Sequence, residues 1–259
     1  MPFVLTQLDN SIGTITFNYA EKRNCLGQAL IHEMLMALDE FEQGAARAVI
    51  LRAAEGVTVW SAGHDVRELP EDGRDPLDYD IPLETLLRRV QDFPAPVIAM
   101  IEGSVWGGAC DLAFTCDILI GTDNASFAMT PVTLGVPYNT SGLTHFISVL
   151  GLHKVSEMFF TAQPISAEEA FRLGVLNHLV PRDQLKAFTY DLAAKICRNS
   201  PLAIRVTKQQ LRLLYRGHAL DAETFEHIQT LRRSVYRSAD YLEGIRAFKE
   251  KRQPAFVAR

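Results

Sequence analysis

Two glycine-bearing segments hold the residue types from which a reaction site can be built. The first is Trp60-Ser61-Ala62-Gly63-His64-Asp65-Val66, where three small residues in a row let a backbone approach a ligand closely and glycine admits φ values that other residues avoid. The second is Glu102-Gly103-Ser104-Val105-Trp106-Gly107-Gly108-Ala109-Cys110-Asp111, which reads as a strand entering a glycine-rich turn that opens a helix. The first N–H groups of such a helix lack internal partners, and its dipole adds partial positive charge there. That end suits an anion or a developing oxyanion. No Gly-Lys-Ser/Thr follows, so this is not a nucleotide P-loop, and the dinucleotide pattern G-x-G-x-x-G is absent too. Either loop alone could equally be a structural turn.

The elements that must carry these loops are legible as a pattern. Phe3 to Leu8 and Ile12 to Phe17 alternate as a hairpin does, with a turn at Asp9-Asn10. Ile31, Met34, Leu35, Leu38 and Phe41 recur at helical spacing. Ala48-Val49-Ile50-Leu51, Val97 to Ile101 and Ile118-Leu119-Ile120 are short apolar runs suited to buried strands, and Val175 to Val180 predicts another. Beyond Pro181 only helical spacing remains: Leu185, Phe188, Leu192 and Ile196, then Ile204, Leu211 and Leu214, then Phe225, Ile228, Leu231 and Val235. Strands interleaved with helices and then helices alone predict an α/β core with a helical extension.

Composition narrows the classes further. With 259 residues, 47% hydrophobic and 22% charged, the chain reads as an ordinary globular protein. A formal net charge of -5 argues against nucleic-acid binding. Cys25, Cys110, Cys116 and Cys197 form no C-x-x-C pair, which suits free thiols in a reducing compartment. No signal-peptide pattern and no membrane-length apolar run is visible, so a cytoplasmic protein is expected. The histidines show no metal-ligand spacing, and no metal site is expected.

Taken together, the two loops resemble those of the crotonase (enoyl-CoA hydratase/isomerase) family, whose oxyanion hole the backbone N–H groups of His64 and Gly108 would form. The likeness runs through Ser61 to Asp65, Gly103 to Asp117, Leu134-Gly135, Thr161-Ala162, Ala167 to Ala170, and Glu243-Gly244 to Phe256. It implies an α/β fold, a crotonase-like spiral of repeated ββα units with a C-terminal helical region. Residues 1–195 would form the core with the active site, and residues 196–259 would carry trimerisation and CoA contacts. The resemblance also implies a homo-trimer or a dimer of trimers acting on an acyl-CoA thioester. Lys22 or Arg23 would approach the CoA phosphates, and backbone at Ala62 and Gly63 the adenine. Phe248 and Lys251 would meet the nucleotide end from an adjacent subunit. Solvated surface positions are an equal alternative for Lys22, Arg23 and Lys251. CoA would be part of the substrate, so no separate cofactor is expected.

Hydratases of this family use two carboxylates, one to activate water and one to supply a proton. Here the first position is Asp111, one methylene shorter than glutamate, and Pro131 stands where the second belongs. Proline moves no proton, so hydration is disfavoured. The stretch from Met129 to Asn139, with Glu68-Leu69-Pro70 and Gly73 to Pro76, resembles instead the branch that decarboxylates methylmalonyl-CoA. Loss of CO2 needs no general base, only a stabilised enolate and a carboxylate held where solvation is poor. Trp106, Met129, Pro131 and Val132 would shape that pocket, and Tyr138 would orient the carboxylate. The final proton would come from Tyr138, His64 or water. Asp111 is expected at the same pocket, where complementing the helix dipole is its favoured role. Isomerisation or thioester hydrolysis with Asp111 as single acid/base, or a non-catalytic CoA- or RNA-binding role, are the alternatives.

Overall fold

The computed structural model describes residues 1–78, 81–215 and 222–255. Strand β1 (Val4–Asp9) turns back antiparallel into β2 (Ile12–Phe17), with Asp9 opposite Ile12. The two-residue loop is therefore Asn10-Ser11, one residue later than expected. Both residues take positive φ, 48° and 65°, as the tight turn that matches strand twist requires. Helix α1 (Gln28–Gln43) buries Ile31, Met34, Leu38 and Phe41 as the spacing predicts, with Leu30 added and Leu35 only half-buried. Its first turn is held from outside, since Glu68 accepts a hydrogen bond from the Gln28 N–H.

A long strand, a short strand and a helix then repeat. The first turn is β3 (Ala48–Ala53), β4 (Val59–Ser61) and α2 (Pro82–Asp92); the second is β5 (Val97–Ile101), β6 (Ser104–Trp106) and α3 (Gly108–Thr115). The third is β7 (Ile118–Gly121), β8 (Ser126–Ala128) and α4 (Thr140–Leu150). The long strands β3, β5 and β7 lie side by side and parallel in one sheet, and the short strands β4, β6 and β8 do the same in a second. Each turn thus advances the chain by one strand in both sheets, the ββα spiral expected. β3 and β5 are buried along their whole lengths, as continuous apolar runs in a parallel sheet should be.

Helix α5 (Leu152–Thr161), the two-residue β9 (Ile165–Ser166) and α6 (Ala167–Arg172) follow, and β9 closes the short sheet against β8. The run Val175 to Val180 gives only β10 (His178–Leu179). The N–H groups of Val175 and Leu176 are used instead on the Ala170 carbonyl, ending α6, so pairing with β7 begins late. Helix α7 (Leu185–Cys197) covers the outer face of the large sheet with Leu185 and Ala193.

Helices α8 (Pro201–Tyr215), α9 (Ala222–Tyr236) and α10 (Ala239–Lys249) complete the chain. α8 is tied down by polar groups: Lys208 reaches the Val90 and Ala95 carbonyls and pairs with Asp117, which also holds Arg212. Its expected core markers Leu211 and Leu214 are exposed, because α7 already covers the sheet. The side chains of Ile228 and Leu231, and Phe256, lie outside the described residues.

α10 turns back onto the spiral. Tyr241 and Ile245 are buried, and a Cβ on Gly244 would lie 2.3 Å from the Leu134 carbonyl oxygen, so only glycine fits that contact. The hydroxyls of Tyr241 and Tyr236 donate to the Pro70 and Pro137 carbonyls at 2.7 and 2.8 Å.

Candidate active site

The ends of β4 and β6 are side by side, so the two glycine loops that follow them meet. Gly63 takes φ +81°, and a Cβ there would lie 2.3 Å from the Trp106 carbonyl oxygen and 3.1 Å from the Gly108 nitrogen. Gly107, at φ 52° and ψ −126°, turns the chain into α3, whose first residue is Gly108. A Cβ on Gly108 would lie 3.7 Å from the His64 nitrogen. These close approaches set the His64 and Gly108 N–H groups beside each other. Neither N–H has an acceptor among the described residues.

A cavity of about 830 Å3 opens at this point, large enough for a sizeable ligand. His64, Trp106, Gly107, Gly108, Pro131 and Tyr138 are on its wall near the two loops. The His64 imidazole lies with Nδ1 buried and without a hydrogen-bond partner. Burial pushes its pKa below the ordinary 6.5, which keeps the ring neutral at neutral pH. Trp106 is fixed by its indole N–H, which donates to Ser104 at 2.8 Å.

Five cationic side chains ring the rest of the cavity: Lys22, Arg23, Arg67, Lys249 and Lys251. Ala62 and Phe248 join them, whereas Gly63 serves the site by letting the loops approach. Phe248 and Lys251 were expected from a neighbouring subunit. In the structure they reach this chain's own cavity, because Gly244 docks α10 against the turn Pro131–Leu134 that forms part of the wall. Arg67 and Lys249 were not anticipated; each also pairs with a carboxylate, Asp65 and Glu71.

Three residues expected in the acyl pocket are elsewhere. Met129 is fully buried in the core, at the end of β8 where the alternation turns it inward. Val132 sits outward on the 3-10 turn Pro131–Leu134 and is 38% exposed. Asp111 does not reach the cavity wall; it stands behind Tyr138, and its role exceeds a complement to the helix dipole. The Tyr138 hydroxyl donates to Asp111 Oδ2 at 2.7 Å, and His145 Nδ1 lies 3.0 Å from Asp111 Oδ1. Burial first, and Asp111 next, push the Tyr138 pKa well above 10. The adjoining Glu84 accepts from Asn139 and from Ser141, and burial followed by the nearby Asp111 raises its pKa as well. Glu84 and His145 carry no signal in the sequence; only the fold brings them to Asp111.

Comparison with known proteins agrees with this architecture. The family profile for enoyl-CoA hydratase/isomerase matches residues 7–259, and the chain belongs to that family. It is 47% identical over 248 residues to methylmalonyl-CoA decarboxylase of Escherichia coli K12, covering 96% of this chain and 95% of that protein. A solved methylmalonyl-CoA decarboxylase in complex with 2-nitronate-propionyl-CoA superposes with a TM-score of 0.97 at 46% identity, covering 99% of both chains. The short-chain-enoyl-CoA hydratase of Clostridium acetobutylicum is more distant, 28% identical over 96% of this chain and 95% of its own length.

Proposed function

We propose that the chain decarboxylates methylmalonyl-CoA to propionyl-CoA and CO2 through an enolate held by the backbone N–H groups of His64 and Gly108. The observation that carries this reading is the pairing of an oxyanion site with a wall that lacks a hydratase's second carboxylate. Pro131 occupies that stretch, and Asp111 is engaged by Tyr138 and His145 rather than presented to the cavity. The 47% identity to the E. coli decarboxylase supports the same reading.

The chemistry follows from the geometry. A substrate carboxylate twisted out of the thioester plane releases CO2 as its C–C bonding electrons pass into the thioester carbonyl. The charge growing on that oxygen falls beside two preset N–H donors, and a single such donor is typically worth about a hundred- to a thousandfold in rate. The neutral His64 ring and the Tyr138 edge leave the departing carboxylate few charges to hold it. The five cations on the wall suit the CoA phosphates. CoA is part of the substrate, and the steps named need no further cofactor.

The segment beyond residue 195 would both close the CoA end and join subunits. Exposed Leu202, Leu211, Leu213 and Leu214 on α8 support a trimer or pair of trimers. No described helix is long and apolar enough to cross a membrane, in keeping with the proposed cytoplasmic location.

The test is CO2 release and mass spectrometry of the thioester product on methylmalonyl-CoA beside crotonyl-CoA. Propionyl-CoA from the first and no water addition to the second is expected. Hydration of crotonyl-CoA, or free CoA without CO2, would overturn the proposal.

A further inference from the structure

Decarboxylation consumes one proton per turnover, and that proton must be supplied again from solvent. Behind the cavity wall, three side chains continue outward from Tyr138. Its hydroxyl is bonded to Asp111 Oδ2, and Asp111 Oδ1 to His145 Nδ1. Asp111 is almost wholly enclosed, with 2% of its side chain accessible, while the His145 side chain retains 11%. The row therefore runs from cavity to protein exterior through a closed interior. Its geometry is fixed by packing: the Tyr138 ring makes edge contacts with Phe146 and Phe159, and a Cβ on Gly142 would lie 2.2 Å from its Cε1.

We propose that His145, Asp111 and Tyr138 form a proton relay from solvent to the α-carbon of the enolate, a role that rests on the decarboxylase reading. The C–H bond forms with the Tyr138 hydroxyl proton as the enolate electron pair moves onto carbon. His145 passes a proton from Nδ1 to the Asp111 carboxylate, Asp111 hands it to the phenolic oxygen, and the imidazole ring takes up a proton from water in its place. A proton accepted on Oδ1 reaches the tyrosine after the carboxyl turns about Cβ–Cγ. Burial makes a lasting tyrosinate costly at this position, so renewal must follow donation quickly. His145 thus acts through Tyr138 and touches no substrate.

The test uses the full chain with His145→Ala and His145→Gln. Both are expected to keep KM within about threefold and to lower kcat at least about tenfold, a modest share of what general acid catalysis commonly supplies. The solvent deuterium isotope effect on kcat should rise in both. Added imidazole should restore turnover in H145A, whose ring space is open, and not in H145Q. Unchanged kcat, or a loss in folded, CoA-binding H145A that imidazole leaves in place, would overturn the relay. Failure of the decarboxylase reading shows separately, as a wild type that releases no CO2. Exchange of the α-hydrogens of propionyl-CoA with deuterium oxide still reads the relay in that case, and equal exchange in wild type and H145A overturns it.

Discussion

Gly63→Ala probes the oxyanion site through a single methyl group. The added carbon would fall 2.3 Å from the Trp106 carbonyl oxygen, at least about 0.7 Å inside the closest approach of 3.0 Å that real Cβ atoms make. The obstacle is backbone on both sides, since the Gly108 nitrogen is only 3.1 Å away. The φ of +81° adds strain of about 1–3 kcal/mol for a residue with a side chain. The loops must separate, and the His64 and Gly108 N–H groups ride on them. A donor displaced by most of an ångström is largely lost, and losing one costs about a hundred- to a thousandfold in rate. kcat on methylmalonyl-CoA should fall at least about a hundredfold. CoA affinity, measured by calorimetry, should change less than about fivefold, because the five cations on the wall are untouched. A variant with native circular dichroism and kcat within threefold of wild type would refute the oxyanion assignment.

Lys251→Ala should raise KM about tenfold with kcat nearly constant, the loss of one charge-assisted phosphate contact, and the difference should shrink in high salt. Gly244→Ala sets a methyl 2.3 Å from the Leu134 carbonyl oxygen; α10 must lift, costing about 1–3 kcal/mol and several degrees of Tm, with weaker CoA binding. Glu84→Gln tests the buried acid. Burial raises its folded pKa above the ordinary 4.5, so the folded state holds the proton more tightly than the unfolded chain. Its contribution to stability is then full below 4.5 and is lost as pH rises through the raised value. The Tm of the variant should gain on wild type between pH 4 and pH 8, and a pH-independent difference would count against that account.

Much of the spiral was legible because its long strands are continuous apolar runs and its glycines mark the strand-to-helix turns. Gly107-Gly108 opened a helix as the helix-end argument required, and Ala48 to Leu51 and Val97 to Ile101 became buried parallel strands. The misreadings share a cause: local pattern does not report which backbone groups are already engaged. Val175 and Leu176 look like strand residues, yet their N–H groups cap α6. Met129 and Val132 are as apolar as Pro131, but strand alternation and a 3-10 turn face them away from the cavity. Asp111 and His145 stand 34 positions apart, and no periodicity connects an acid on α3 with a histidine on α4. Arg67 and Lys249 carried no signal, because ion pairing and ligand contact call for the same side chains.

The inward fold of α10 has a bearing on genetics. Phe248, Lys249 and Lys251 complete the same cavity that His64, Gly108 and Tyr138 begin, all from one polypeptide. Two differently damaged copies, one lacking the loop glycines and the other the terminal lysines, would each carry the lesion in their own cavity. Mixing them in one cell or one test tube would restore nothing, and activity would track the dose of intact chains in a straight line.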